Sequence, residues 1–410
     1  MKTNFFKINQ LILIVYILLY LSLILGFIYN EDVAGGGELD RSFQKNVTSF
    51  GFVDGIKGFL FIFYPTNTII HSPVYYILIH KLENLINNES VFRFFLMNIF
   101  LLIPLTLIRI LKKRFTRSYL ILLIPLICFL SPNFRTIAIW SGREILSLTF
   151  LCISIFYYIN SFNNFSLKNI FLSFLFLICA SYISWEYGFI SIIYFIELII
   201  NFKKKSKISL IFLFNLILSL PFFIYVIKFM NLGNYDQSIL SNIFYNIPYF
   251  FSIYFFYSLP FLFLNTNFIR YIINNYLLSF VTLIIFYIIT QYTEIPEIGG
   301  GILIKILQFL GFSKLIFIFS TMGILSFFYL SNKKLFFNTL VLIVLILQTC
   351  ISYHFFQKYI DLIFIIYFLF LFKINNVNEI IKKKRFIVNL MILNFFYLFV
   401  SLIFRTNSIL

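Results

Sequence analysis

Apolar residues in this chain fall in long unbroken runs divided by polar breaks, with little of the strict alternation that marks a half-buried strand. The first run covers 11–27. Others follow at 92–110, 119–130, 145–158, 171–183, 187–200, 209–227, 247–264, 276–289, 315–330, 335–350, 362–372 and 386–404. Runs of this kind predict about thirteen membrane-crossing helices, within a range of about 11 to 14, because several are shorter than the ~20 residues a perpendicular crossing needs. Continuous runs also exclude an outer-membrane barrel, whose strands would alternate. The predicted fold is therefore an all-α polytopic membrane protein forming one integral-membrane domain over 1–410, with a core in 1–200 and further transmembrane helices in 201–410. Between the first two runs, the segment 30–88 is polar and holds six carboxylates, three successive glycines (Gly35, Gly36, Gly37) and a short apolar stretch near Phe59 to Tyr64. That pattern predicts a long first loop carrying short surface or re-entrant helices.

Composition agrees with a bilayer as solvent. Of the 410 residues, 61% are hydrophobic and 11% charged, and mean hydropathy is +0.96, whereas soluble domains carry about 25% charged residues. A soluble enzyme, a secreted disulfide scaffold and a disordered chain are excluded. Cys128, Cys152, Cys179 and Cys350 lie in or beside apolar runs without metal-ligand spacing and are read as small buried hydrophobes. The 60 Phe and 27 Tyr accompany abundant Ile, Asn and Lys, a bias of AT-rich codons, so no aromatic stripe is read as a binding site.

The formal charge of +17 would suggest nucleic acid in a soluble protein, but here its placement decides. Basic clusters at Lys112–Arg117, Lys203–Lys207, Lys333–Lys334 and Lys382–Arg385 all fall in even-numbered breaks, on the side of Lys2 and Lys7. Basic residues stay on the cytoplasmic side, so the amino terminus is expected there. The odd-numbered breaks then face outward and carry 13 of the 15 carboxylates. Retention of cations inside does not require acids to gather outside, and the outer face is therefore where chemistry is expected.

Four outer stretches carry candidate groups. The first reads Asn30-Glu-Asp-Val-Ala-Gly-Gly-Gly-Glu-Leu-Asp-Arg41, placing Glu31, Asp32, Glu38 and Asp40 just beyond the first helix around a glycine turn. Further on stand His71-Ser72-Pro73-Val74-Tyr75-Tyr76 and Glu89-Ser-Val-Phe-Arg93. The third break runs from Ser131-Pro132-Asn133-Phe134-Arg135 to Trp140-Ser141-Gly142-Arg143-Glu144. An acidic first loop, a His-Pro-Pro-Leu-Tyr-Tyr-like stretch, an Arg-bearing second span and a Ser-Pro turn in the third break resemble the GT-C superfamily of integral-membrane glycosyltransferases. Protein O-mannosyltransferases and bacterial aminoarabinose transferases belong to it, and the resemblance covers residues 11–200. Two departures stand out: the usual adjacent Asp-Glu pair is here Glu31-Asp32 or Glu38-x-Asp40, and Ser72 replaces a proline.

The resemblance implies transfer of a sugar from a polyprenyl-phosphate donor to a lipid, glycan or protein acceptor at the outer face of the cytoplasmic membrane. Asp40, followed by Phe43, is the expected base, with Asp32 second and Glu38 beside them. Such a donor keeps its tail among membrane lipids and its phosphate at the interface, so it needs cations near helix ends. Arg135, Arg143 and Lys358 are expected for the phosphate; Tyr75, Glu144, Glu186, His71 and His354 complete the expected substrate site. Glu186, in Ser184-Trp-Glu-Tyr-Gly188, occupies a break so short that its carboxylate must lie close to hydrocarbon. The three histidines are scattered, so no cofactor or metal is expected. A transporter or flippase of lipid-linked glycans, or a polymerase, is the alternative, and a transporter should gather ionisable residues near the midplane in paired halves.

Overall fold

The computed structural model describes residues 2–49, 73–115, 119–163, 166–229, 239–263, 267–293, 301–331, 334–351, 357, 361–374 and 377–407. Every regular element among them is helical: α1 (Lys2–Ile28), α2 (Gly37–Ser49), α3 (Pro73–Ile86), α4 (Glu89–Phe100), α5 (Leu102–Arg114), α6 (Ile127–Leu130), α7 (Pro132–Ile139), α8 (Arg143–Asn163), α9 (Leu167–Ile183) and α10 (Ile190–Asn201). The series continues with α11 (Lys205–Phe229), α12 (Ile239–Leu262), α13 (Asn267–Asn274), α14 (Tyr276–Tyr292), α15 (Ile302–Phe309), α16 (Ile316–Ser331), α17 (Leu335–Thr349), α18 (Asp361–Ile366), α19 (Val377–Lys382) and α20 (Lys384–Asn407).

Five stretches are long and apolar enough to cross a membrane: Gln10–Ile28, Glu89–Arg114, Arg143–Phe162, Ser313–Ser331 and Lys384–Arg405. Two bent pairs, Ile121–Leu130 with Pro132–Ile139 and Asn267–Asn274 with Tyr276–Tyr292, raise the number to seven if each is one span. Leu167–Ile183, Leu335–Thr349 and Asp361–Leu371 are apolar but shorter. These are the helices of a membrane-embedded protein. The long first loop expected from the sequence contains α2 and α3, and the residues between them, with the apolar stretch near Phe59, lie outside the described residues.

The chain divides into two compact units, one of residues 1–117 and 134–234, the other of 118–133 and 235–410. In the first, local signals set the helix ends. Asn88 caps α4 by accepting a hydrogen bond from the Val91 N–H (3.0 Å). Lys112, Lys113 and Arg114 close α5, where cations complement the carboxyl end of the helix dipole. Hydroxyls in the apolar interior bond to carbonyls, as Ser154 does to Ser173 (2.6 Å) and Thr149 to Ile145 (2.8 Å). At the even-break end of the unit, Lys113 donates to Asn160 (2.6 Å) and Tyr158, stacked on Tyr194 at 3.9 Å, donates to Glu197.

In the second unit α12 and α16 cross closely. A Cβ at Gly323 would overlap the Phe251 carbonyl, Ser320 donates to the Pro248 carbonyl (2.7 Å), and Ser258 and Ser326 pair their hydroxyls at 3.2 Å. Small residues let backbones approach in this way where the surrounding lipid gives no hydrophobic drive for association. Pro248 and Pro260 lie inside α12 without ending it. In the same unit Asp361, 1% exposed, accepts from the hydroxyls of Ser131 and Tyr257. Gln357 extends the network: its amide N–H donates to Tyr257 Oη (3.0 Å) and its Oε1 accepts from Ile302 N–H (2.7 Å). Asn133 donates to Tyr397 (2.8 Å). Cys128, Cys152 and Cys350 are buried, as the sequence predicts, whereas Cys179 is half-buried; all four are free thiols.

Candidate functional site

The first unit joins the first, third and fifth breaks at one end. Beyond α1 the chain turns through Asn30 (φ 51°), Gly35 (φ 79°) and Gly36 (φ 80°), the left-handed region that glycine enters at least cost. Asp32 then accepts from the Gly37 N–H with both carboxylate oxygens (3.1 and 3.2 Å), capping α2. Glu31 faces the other way and holds Arg135 in a two-pronged pair, Nε to Oε1 at 2.6 Å and Nη2 to Oε2 at 2.5 Å. Arg135 also donates to the hydroxyl and carbonyl of Ser22 (3.0 Å each).

This clasp is one of several stitches between the two turns. Ala34 N–H donates to Thr136 (2.9 Å), and the Trp140 indole N–H to the Glu31 carbonyl (3.0 Å). Arg93 from α4 donates to the Ile139 carbonyl and to Asn30 (3.0 Å each), with its guanidinium 4.1 Å above the Trp140 ring and 5.3 Å from Phe27. A cation on an indole face is favourable where water is scarce.

The α7-to-α8 turn closes through Ser141 (φ 58°) and Gly142, whose N–H donates to the Ile137 carbonyl (2.8 Å). The Ser141 carbonyl accepts from the buried Tyr75 phenol and, at 3.5 Å, from Gln44. A Cβ at Gly37 would overlap Trp140. Gly37, Asp40, Arg41 and Gln44 lie three to four residues apart, on one face of α2, so Asp40 stands on the face that meets this turn. Arg41, itself buried, pairs with Glu83 and Glu89 and stacks on Phe92 (5.0 Å); Lys45 also pairs with Glu89.

The turn launches α8 with Arg143 and Glu144, which pair at 3.4 Å. Ser147, one turn on, touches Ser184 (3.2 Å) and so fixes α8 against the 3-10 turn Trp185–Phe189 that carries Glu186. Burial raises the Glu186 carboxyl above its ordinary range; Arg143 pulls it back down and Glu144 pushes it up, so the three groups lie within electrostatic reach of one another. Burial likewise raises the Tyr75 phenol, with Glu144 adding to the effect and Arg41 and Arg143 opposing it. A carboxyl with raised affinity for its proton beside an arginine can exchange a proton with a substrate while the cation meets an anion.

Of the residues singled out in sequence, Tyr75, Arg143, Glu144 and Glu186 belong to this cluster, and Asp40 lies on α2 between Gly37 and Gln44, which touch its supporting turn. Glu38 is exposed in the first turn of α2 and within electrostatic reach of Arg93. Asp32 is engaged as a helix cap and Arg135 in the clasp with Glu31 and Ser22; both therefore hold the turns together, and their expected catalytic and phosphate-binding roles would require those bonds to open. Tyr75 supports the Ser141 turn from beneath. His71, His354 and Lys358 lie outside the described residues, as does the Phe43 side chain. Sequence reasoning passed over Glu31, Arg93 and Trp140 as site-builders, although all three stand in the quoted segments. Among the described residues no three His, Cys, Asp or Glu side chains gather as metal ligands. Comparison with family models, curated proteins and solved structures finds no match.

Proposed function

We propose that this protein is a membrane glycosyltransferase that moves a sugar from a polyprenyl-phosphate donor to an acceptor hydroxyl at the outer face of the cytoplasmic membrane. In this reading the chain crosses the bilayer about thirteen times with its amino terminus inside, the shorter and broken apolar helices included. Support comes from the way the breaks sort. Residues of breaks one, three and five meet at one end of the first unit, while Lys113, Asn160, Tyr158 and Glu197 meet where the basic breaks begin.

The observation that carries the reading is the cluster of Arg143, Glu144 and Glu186 beside the α2 face bearing Asp40. Asp40 takes the proton of the acceptor hydroxyl as its oxygen bonds to the anomeric carbon; the bond from that carbon to the phosphate oxygen breaks, and the polyprenyl phosphate leaves with the electron pair. Arg143 stabilises the charge gathering on the leaving phosphate. Glu144 and Glu186 accept hydrogen bonds from sugar hydroxyls, and the clasps through Arg135 and Arg93 keep the two turns in register.

The test is transfer by the purified protein in proteoliposomes, offered a panel of radiolabelled polyprenyl-phosphate sugars together with membrane-extract acceptors. The reading predicts incorporation that Asp40→Asn abolishes without changing expression or the unfolding midpoint. Transfer that persists undiminished in Asp40→Asn removes Asp40 as the base, and the absence of transfer from every donor removes the enzyme reading.

A further inference from the structure

The eight-residue α13 does not continue the direction of α14; the two meet at 82°. At 100° per residue its side chains sort into three arcs. Phe268 and Tyr271 turn inward, each with its ring 5.3 Å from that of Tyr329 on α16. Asn267, Arg270 and Asn274 form an exposed polar arc. Between these arcs lie Ile269 and Ile273, one turn apart, 67% and 64% exposed. A helix surrounded by water has no reason to separate an exposed apolar arc from an exposed polar one.

The neighbouring helix supplies the frame. α14 presents Leu277, Phe280, Val281, Ile284, Ile285 and Ile288 outward, the surface of a helix facing acyl chains. Its 17 residues span about 26 Å at 1.5 Å each, close to the ~30 Å of a hydrocarbon core. Exposed tyrosines, Tyr276 and Tyr292, mark its two ends. At the Tyr292 end Lys314 donates to Gln291 (3.2 Å), and Phe312 is exposed two residues away. Aromatic and basic side chains concentrate at both membrane boundaries, so α13 begins where the hydrocarbon ends.

We propose that α13 is a membrane-surface helix whose partner is the phospholipid interface: Ile269 and Ile273 enter the acyl boundary, and Arg270 meets the phosphate layer. Ile269 and Ile273 are exposed to the same degree as Leu277 and Phe280 at the adjoining end of α14, and an acyl boundary accounts for both. Two isoleucines are far too small a patch for a protein partner, since stable interfaces bury roughly 1,200 Å² or more. An interfacial helix of this kind would fix the depth and tilt of α14 and, through Tyr329, of α16.

The test uses nitroxide labels on the full-length chain in phosphatidylethanolamine and phosphatidylglycerol vesicles. Single cysteines replace Ile269, Arg270, Ile273, Asn274 and Leu277, with Cys179→Ala as background because the other native thiols are buried. Power saturation then compares collision with oxygen, which concentrates in acyl chains, against a water-soluble nickel chelate. The proposal expects an oxygen-to-nickel ratio at 269 and 273 several-fold above that at 270 and 274, approaching the value at 277. Water-like ratios at all four α13 positions, with 277 still lipid-like, would overturn the surface helix while leaving the embedded α14 intact. Protection of 269 and 273 from both reagents would overturn it in favour of a protein cover. A water-like ratio at 277 as well would overturn the membrane placement of α14 and the proposal with it.

Discussion

Replacing Glu31 by glutamine isolates the strongest stitch in the candidate site. The substitution keeps the side-chain length but removes the charge opposite Arg135, whose side chain is 6% exposed against 19% for Glu31. Two guanidinium bonds to the carboxylate are lost or weakened, while those to the hydroxyl and carbonyl of Ser22 stay. Removing one member of a fully buried pair costs about 3–5 kcal/mol. Glu31 keeps some contact with solvent, so the expected loss is about 2–3 kcal/mol. Arg135→Gln should cost a similar amount. The double variant should cost clearly less than the sum, with a coupling energy of about 1.5–2.5 kcal/mol. The assay is unfolding in mixed detergent micelles followed by tryptophan fluorescence, well placed because the Trp140 indole donates to the Glu31 carbonyl. Single-variant costs below about 0.5 kcal/mol that simply add would refute the clasp.

Tyr257→Phe removes the donor to Asp361 and the acceptor of the Gln357 amide, and should lower stability by about 1–3 kcal/mol in the same assay; full additivity with Ser131→Ala would show that the two donors do not share one carboxylate. Gly323→Ala gains helix propensity yet drives a methyl into the Phe251 carbonyl, so a net loss of about 1–2 kcal/mol is expected, and a stabilised variant would show that α12 and α16 stand further apart. Because burial raises the Glu186 carboxyl above its ordinary 4.5, the folded state holds that proton more tightly than the unfolded chain does. Its contribution is full below the ordinary pKa and fades as pH rises through the elevated one. Unfolding midpoints measured from pH 4 upward should therefore show a decline in the wild type that Glu186→Gln lacks; parallel curves would place Glu186 in water.

Helix identity was largely legible because long apolar runs have few alternatives in a bilayer. Helix ends were less so: the run at 247–264 predicts a start near Ile247, but α12 begins at Ile239, since Ser241, Asn242 and Asn246 do not interrupt a helix whose amides reach the carbonyls of Ile351 and Cys350. Pro125 turns the run at 119–130 into a 3-10 turn and the short α6, a local geometry that hydropathy does not encode. The α13 helix fell in a break because eight residues with two apolar arcs and one polar arc match no window tuned to crossing helices. At the site, the acidic first loop, the third break and Glu186 were visible as charge patterns. Their division of labour was not. Glu31 and Arg135 are 104 residues apart, and nothing local distinguishes the carboxylate that clasps an arginine from its neighbour that caps a helix. Asp361 illustrates the same gap, an ordinary acid at a helix start that Ser131, 230 residues away, turns into a buried junction.

The central claim is that Arg143 receives a lipid-borne phosphate while Glu144 and Glu186 hold the sugar it carries. A photoreactive short-chain polyprenyl phosphate, activated in vesicles holding the full-length protein and followed by peptide mapping, tests it most directly. The account predicts labelling concentrated in residues 136–147 and 184–190, displaced by unlabelled polyprenyl phosphate. Labelling should fall about tenfold in Arg143→Ala, the ~1.4 kcal/mol expected at least from one charge-assisted bond to phosphate. Labelling spread over the lipid-facing helices, undisplaced by competitor and unchanged in Arg143→Ala, would contradict it.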